Sequence, residues 1–460
     1  MKHKSLLKAI RKLKKRDRVR LHMPGVRGNG FGFFGTIFKH EFTEIGGLDN
    51  LYCPDGLIKE LQINYARKIS AKSVLFMVNG STGGVLSMLS AFKGKKLIIV
   101  RDFHVSCGNA ITLFDIDPVY VYPKLNREIG MYDAVEFNAI KAAYDLNPDA
   151  SGIYLTYPNY YGFCANIELI VAFAHLNNIP VILDSAHSAC FSYNDKLPMS
   201  PQQAGADIWT TSLHKTMPAL NQTAYIGLSK SSYYTDHDVK ERINIFQTTS
   251  PSYILLSSIE FACNYFNKSR LRNLDRLIDK ALKIEKKINR LNTFSAISSE
   301  ENVKDPLKLI VDHKKSKYTM KELTVYFNKK GIYFELINTR FILFMISPVT
   351  EKYALLDVYH VLRRLDSRKQ YVKEDHYPIS MPITCNIKCD GETKLVEVYQ
   401  SVHRISANPV GIYPPGIPIL LKGDVITEEI AKEIHNCVYA KLGTFGIIDR
   451  KILVYKNKQK

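Results

Sequence analysis

Seven short apolar or β-branched runs, separated by stretches of helical spacing, lie between about residue 70 and residue 230. They are Val74–Val78, Lys96–Val100, Pro118–Tyr122, Gly152–Thr156, Pro180–Leu183, Ile208–Thr211 and Ala224–Leu228. Strands spaced this way are joined by crossovers, and crossover helices cover both faces of a mostly parallel sheet. The pattern predicts an α/β core. Ligands of such sheets bind beyond the carboxyl ends of the strands. Ser81, His104, Asp184 and Ser212 each follow one of these runs, so four polar groups are expected at one edge.

The remaining chain organises around that core. At 460 residues it exceeds one ordinary domain. It divides into a basic helix and opening segment (1–60), a large domain (61–300) and a smaller α+β domain (301–460). From Ile254 to Leu291 the apolar residues keep helical spacing, which reads as one long helix linking the two larger domains. The charged stretch 298–317 reads as a surface crossing.

The formal charge is +19, from 63 Lys plus Arg against 44 Asp plus Glu. Much of the excess lies near the start, where Leu6, Leu7, Ile10 and Leu13 share one helix face among lysines and arginines. That predicts a basic helix docked on the body, not a nucleic-acid arm, because no binding motif accompanies the charge. No apolar run is long enough to span a bilayer, and residues 1–20 lack the apolar centre of a signal peptide, so a cytoplasmic protein with no membrane partner is expected. The eight cysteines are scattered; Cys385 and Cys389 are close but have no second ligand pair. Free thiols and no metal site are expected. Residues 30–35 match G-x-G-x-x-G, yet no strand precedes them and phenylalanines fill the intervening positions, so they are not read as a dinucleotide loop.

The chemistry concentrates on Lys215, in Ser212-Leu213-His214-Lys215-Thr216, and on Asp184, which ends Ile179–Asp184. A lysine that forms a Schiff base and an acid that pairs with a pyridinium nitrogen are the protein groups that pyridoxal phosphate chemistry requires. Asn79-Gly80-Ser81-Thr82-Gly83-Gly84 ends a strand and opens a helix, so its hydroxyls and amides suit a phosphate at the positive helix end. Ser212 and His214 could complete that cup. His104 stands where an imidazole can stack on the pyridine ring.

Taken together these residues resemble the bacterial ornithine, lysine and arginine decarboxylases, in particular the shorter Gram-positive enzymes. The resemblance is carried by His22-Met23-Pro24-Gly25-Val26-Arg27-Gly28, Gly47-Leu48-Asp49-Asn50-Leu51, Thr156-Tyr157-Pro158-Asn159-Tyr160-Tyr161-Gly162 and Asp184–His187. Ser212–Lys215, Gln247–Tyr253 and Tyr413-Pro414-Pro415-Gly416-Ile417-Pro418 follow in family order. It implies the aspartate-aminotransferase-like fold, pyridoxal 5'-phosphate as cofactor, and decarboxylation of a basic amino acid to its amine, as in polyamine biosynthesis. Lys215 would carry the cofactor and Asp184 would bind its ring nitrogen. His104 and His187 would contact it, and Ser81, Thr82, Ser212 and His214 would hold its phosphate. Thr249 and Ser250 would lie near the cofactor of a neighbouring subunit, making the active unit a homodimer or larger.

The chain departs from the family at Val26, Cys190 and Asn408, where the family commonly has His, His and Glu. An acid suits a distal ammonium or guanidinium. Two alternatives therefore stand beside decarboxylation: an aminotransferase or lyase acting on another amino acid with the same cofactor, and a non-catalytic paralogue.

Overall fold

The computed structural model describes residues 5–16, 35–126, 131–298, 303–338, 340–371, 383–384, 391–412, 416–439 and 443–456. Val26 and the rest of segment 22–28, most of the glycine-rich stretch 30–35, Cys385, Cys389 and Tyr413–Pro415 lie outside them. Helix α1 (Leu6–Arg16) docks as its pattern predicts. Leu6 and Ile10 are buried, and the Leu7 N–H donates to Glu260 Oε2 at 2.9 Å.

All seven apolar runs become strands of one sheet: β1 (Ser73–Met77), β2 (Lys96–Val100), β3 (Asp117–Val121), β4 (Ile153–Thr156), β5 (Val181–Asp184), β6 (Ile208–Ser212) and β7 (Ala224–Leu228). Their spatial order is β1-β7-β6-β5-β4-β2-β3. Only β7 runs against its neighbours. The chain between β6 and β7, residues 213–223, is too short for a crossover helix and returns antiparallel. Since β1, β2, β4, β5 and β6 all point the same way, the residues that follow them meet at one edge. Every residue of β5, β6 and β7 is buried, as a sheet covered on both faces requires.

Three helices aim polar groups at that edge. Helix α2 (Gly80–Leu89) leaves β1 and packs against β6 and β7. A Cβ on Gly84 would lie 2.1 Å from Thr210 Oγ1, so the absence of a side chain lets α2 lie directly on the sheet. Helix α3 (Val105–Phe114) follows β2, and the His104 side chain caps its first turn. Helix α4 (Leu213–Thr216) is a single turn after β6.

Two expectations from the sequence are corrected beyond the sheet. The stretch Ile254–Leu291 forms two helices, α5 (Tyr253–Cys263) and α6 (Lys268–Ile288). Asn264 ends the first, and Asn267 Oδ1 accepts the Arg270 N–H at 3.0 Å to start the second; short amides that bond the backbone locally favour such breaks. The described part of the charged stretch, 303–317, is no surface crossing. It contributes β9 (Lys308–Asp312) to a second, antiparallel sheet with β8 (Ser295–Ala296), β10 (Leu336–Ile337) and β11 (Phe341–Met345), ordered β8-β9-β11-β10. Leu307, Leu309, Ile310 and Val311 carry the segment inward, and Asp305, Lys308 and His313 are buried with it. Helices α6 and α7 (Ala354–Leu365) pack on each other beside this sheet.

The last part of the chain builds small antiparallel sheets around helix α8 (Glu428–Tyr439). It docks beside His104: the Val105 N–H donates to Gly416 O at 2.9 Å, and Arg101 Nη1 donates to Pro418 O at 3.0 Å. No helix among the described residues is long and apolar enough to cross a membrane.

Candidate active site

Strands β5 and β6 are parallel neighbours, with Asp184 registered against Thr210. Asp184 therefore ends one strand while Lys215 sits in the turn just after the other. Asp184 is buried, and its Oδ1 accepts the Ala186 N–H at 3.1 Å. Three residues after Asp184, His187 points Nε2 at Lys215 Nζ, 3.3 Å away.

The electrostatics of the cluster favour neutral bases. Burial pushes the Lys215 amine below the ordinary lysine value, while Asp184 and Glu335 pull it up. Burial also drives His187 well below the usual histidine range, helped by Lys308, Lys215, His104 and His214. His104 is depressed by burial, with Asp184 raising it and Lys215 lowering it. Its Nδ1 lies 2.9 Å from Ser106 Oγ and accepts the Ser106 N–H at 3.2 Å.

On the neighbouring side of the pocket, Ser212 Oγ donates to Ser81 Oγ at 2.9 Å. No side chain caps the first turn of α2, because the Asn79 amide donates to Phe246 O at 3.1 Å instead. Amides at the positive end of a helix are thus left beside two serine hydroxyls. The His214 ring sets Nδ1 against Thr223 O at 3.1 Å, so Nε2 donates only when the ring is protonated; burial opposes that form.

The sequence-predicted residues divide into two groups. Lys215, His187, Asp184, His104, His214, Ser212 and Ser81 come together at the carboxyl edge. Thr82, Thr249 and Ser250 are exposed in this chain. The last two follow Gln247, which is anchored to the sheet because its Oε1 accepts the Val78 N–H at 3.1 Å. Of the departures from the family pattern, Cys190 Sγ donates to Thr216 O at 3.2 Å and packs beneath α4. Asn408 Nδ2 donates to Gly446 O at 3.2 Å in the C-terminal part.

Three further residues were not anticipated. Lys308 enters from the second sheet, and its Nζ donates to Tyr160 O at 2.6 Å. Asp102 follows β2; burial raises its carboxyl to about 7, with Arg101 opposing and Asp184 adding to the rise. Glu335, exposed at the rim, accepts the Tyr160 hydroxyl at 2.7 Å. The available signal for Lys308 was the apolar run Leu307–Val311 inside a charged stretch.

Comparison with known proteins agrees with this architecture. Residues 22–306 match the Orn/Lys/Arg decarboxylase major domain, and residues 367–438 match the C-terminal domain of the same family. An arginine decarboxylase of Halalkalibacterium halodurans is 30% identical over 438 residues, covering 90% of this chain and 89% of its own. An arginine decarboxylase of Bacillus subtilis is 28% identical, covering 96% of this chain and 95% of its own. The structure of the E. coli constitutive lysine decarboxylase superposes with a TM-score of 0.78 at 18% identity, over 98% of this chain and 82% of that one. With its sheet order, its pocket edge and both family domains in place, the chain belongs to the Orn/Lys/Arg decarboxylase family.

Proposed function

We propose that this protein decarboxylates a basic amino acid with pyridoxal phosphate held between Lys215 and Asp184. The observation that carries the reading is their placement on the ends of adjacent parallel strands, with a dehydrated amine at one and a buried carboxylate at the other.

The donor set fits that coenzyme. An uncapped helix start beside Ser81 and Ser212 suits its phosphate. Buried polar atoms without partners among the described residues, including His187 Nδ1 and Thr156 Oγ1, leave bonding capacity near Asp184 and Lys215. When bound, the coenzyme supplies an electron-accepting ring that takes up the pair left on Cα as carbon dioxide departs.

The chain's own residues do the rest. Lys215, whose amine burial makes easier to deprotonate, would offer that amine as the covalent attachment point and give way there to the substrate amine. Asp184 would hold the proton on the coenzyme's ring nitrogen, His104 would lie against the ring, and Ser81, Thr82, Ser212 and, when protonated, His214 would hold the phosphate. With its Nε2 unprotonated, His187 would accept a hydrogen bond from the Lys215 amine 3.3 Å away. At the rim, Glu335 offers a carboxylate to a cationic side chain, a role that Asn408, tied to Gly446, does not fill. The arginine decarboxylases similar to this chain favour the same substrate class. Thr249 and Ser250, exposed here, would complete the pocket of a second copy in a cytoplasmic homodimer. The pocket would draw on the large domain (61–300) and, through Lys308 and Glu335, on the small one (301–460).

The test is to incubate purified protein and pyridoxal phosphate with arginine, lysine and ornithine separately. Release of carbon dioxide from at least one supports the reading. No release from any, with coenzyme bound, overturns it, and a keto-acid product would indicate transamination instead.

A further inference from the structure

A lysine from the second sheet is buried in the wall of the pocket. Lys308 is 1% exposed, and its Nζ donates to Tyr160 O at 2.6 Å and to Asn159 O at 3.4 Å. The ammonium lies 5.5 Å from the centre of the Tyr160 ring. It makes no ion pair among the described residues, so its burial is costly and calls for a function. The fold makes room for it at Gly162: φ there is +95°, and a Cβ would come within 3.0 Å of Lys308 Cδ.

Lys308 is linked to Lys215 through two rings. The Tyr160 ring meets the His187 ring edge-on at 5.6 Å and 84°, and the Tyr160 hydroxyl donates to Glu335 Oε1 at 2.7 Å. His187 Nε2 in turn lies 3.3 Å from Lys215 Nζ. Lys308, Lys215, His104 and His214 all oppose protonation of His187 alongside burial, while the acids of this region are Asp184, three residues before it, and Glu335, bonded to Tyr160. The charged and titratable groups facing Lys308 are Asp305, Lys215, Cys164 and Glu335. Burial lowers Lys308 to about 7, while Asp305, Cys164 and Glu335 support its charge against Lys215.

We propose that Lys308 is a positioning residue: by fixing the Tyr160 loop and placing a cation behind it, Lys308 keeps His187 a neutral acceptor for the Lys215 amine. Against the protonated form of Lys215, a protonated His187 would set donor against donor at that contact. The consequence for catalysis rests on the coenzyme role proposed for Lys215; the effect on His187 does not.

The experiment follows the His187 ring in coenzyme-free protein carrying 13C-labelled histidine, with the signal assigned by its loss in His187→Gln. In Lys308→Met the His187 midpoint should rise by about one pH unit or more, the size expected for removing a nearby charge in a partly dry site. In the loaded enzyme the acid limb of the kcat/KM profile should move up in step. An unchanged His187 titration in a folded Lys308→Met protein overturns the proposal. Where Lys308→Met does not fold, Asp305→Asn is read instead: it shifts Lys308 toward the neutral form and should raise His187 in the same direction, and no change there overturns the proposal equally. Because the titration needs neither coenzyme nor substrate, it stands apart from failure of the decarboxylation reading.

Discussion

Asp184 shows how a single residue can be legible in sequence and still depend on the fold. An acid directly after an apolar run must find a partner, and here it finds the Ala186 N–H at 3.1 Å while retaining room for another. Replacing it with a neutral isostere leaves that turn largely intact but removes the charge that would hold a ring nitrogen protonated. Asp184→Asn is therefore expected to retain the fold and to lower turnover on the order of a hundred-fold, about 2.7 kcal/mol of barrier, as steady-state kinetics would show. Ser81, His104, Asp184 and Lys215 could be read from the sequence because each follows an apolar run on the chain itself. Lys308, Asp102 and Glu335 could not. Lys308 and Glu335 reach the pocket only after a second sheet has formed, and Asp102 becomes unusual only through burial near Asp184.

The seven strands of the main sheet were legible as elements because alternation of apolar runs with helical spacing encodes them directly. The reversal of β7 was not read, although the short link 213–223 requires it. The break between α5 and α6 was also missed, since apolar periodicity continues past Asn264 and Asn267 while their local bonds end one helix and begin another. In and just before β9, the apolar residues Leu307, Leu309, Ile310 and Val311 outweighed the charged composition of their segment. At this scale Gly84 is the most exacting position, because α2 reaches the pocket only by lying on Thr210. Gly84→Ala places a Cβ 2.1 Å from Thr210 Oγ1 and should lower the urea-unfolding free energy by about 1–3 kcal/mol. It should also weaken pyridoxal phosphate binding by lifting the first turn of α2, which a spectroscopic titration would reveal; unaltered affinity would separate α2 from phosphate binding.

The whole molecule is fastened by contacts that no local pattern announces. Arg101 and Asp424, 323 positions apart, pair at 3.5 Å with side chains 3% and 0% exposed. The guanidinium also sits 5.0 Å from the Phe103 ring and 5.8 Å from the Tyr120 ring. Removing one partner of such a buried pair is strongly destabilising, so Arg101→Met should lower unfolding free energy by roughly 3–5 kcal/mol, measured by denaturant titration. Glu433 on α8 gives the pH dependence a definite sign. Both of its carboxylate oxygens are buried without a partner among the described residues, and burial raises its pKa from 4.5 to about 8. The unfolded chain releases this proton first, so stability falls as pH rises from 4.5 to about 8 and levels off above that. Glu433→Gln should therefore stabilise the protein at pH 8 by up to roughly 3 kcal/mol and have little effect at pH 4.5. Burial lowers two neighbouring lysines, Lys215 and Lys308, of which the first is the proposed attachment point of the coenzyme. The most direct test is to load the protein with pyridoxal phosphate, reduce it with borohydride and map the modified peptide by mass spectrometry. Coenzyme mass is expected on Lys215 alone; mass on Lys308, or on neither lysine, would contradict the proposed attachment.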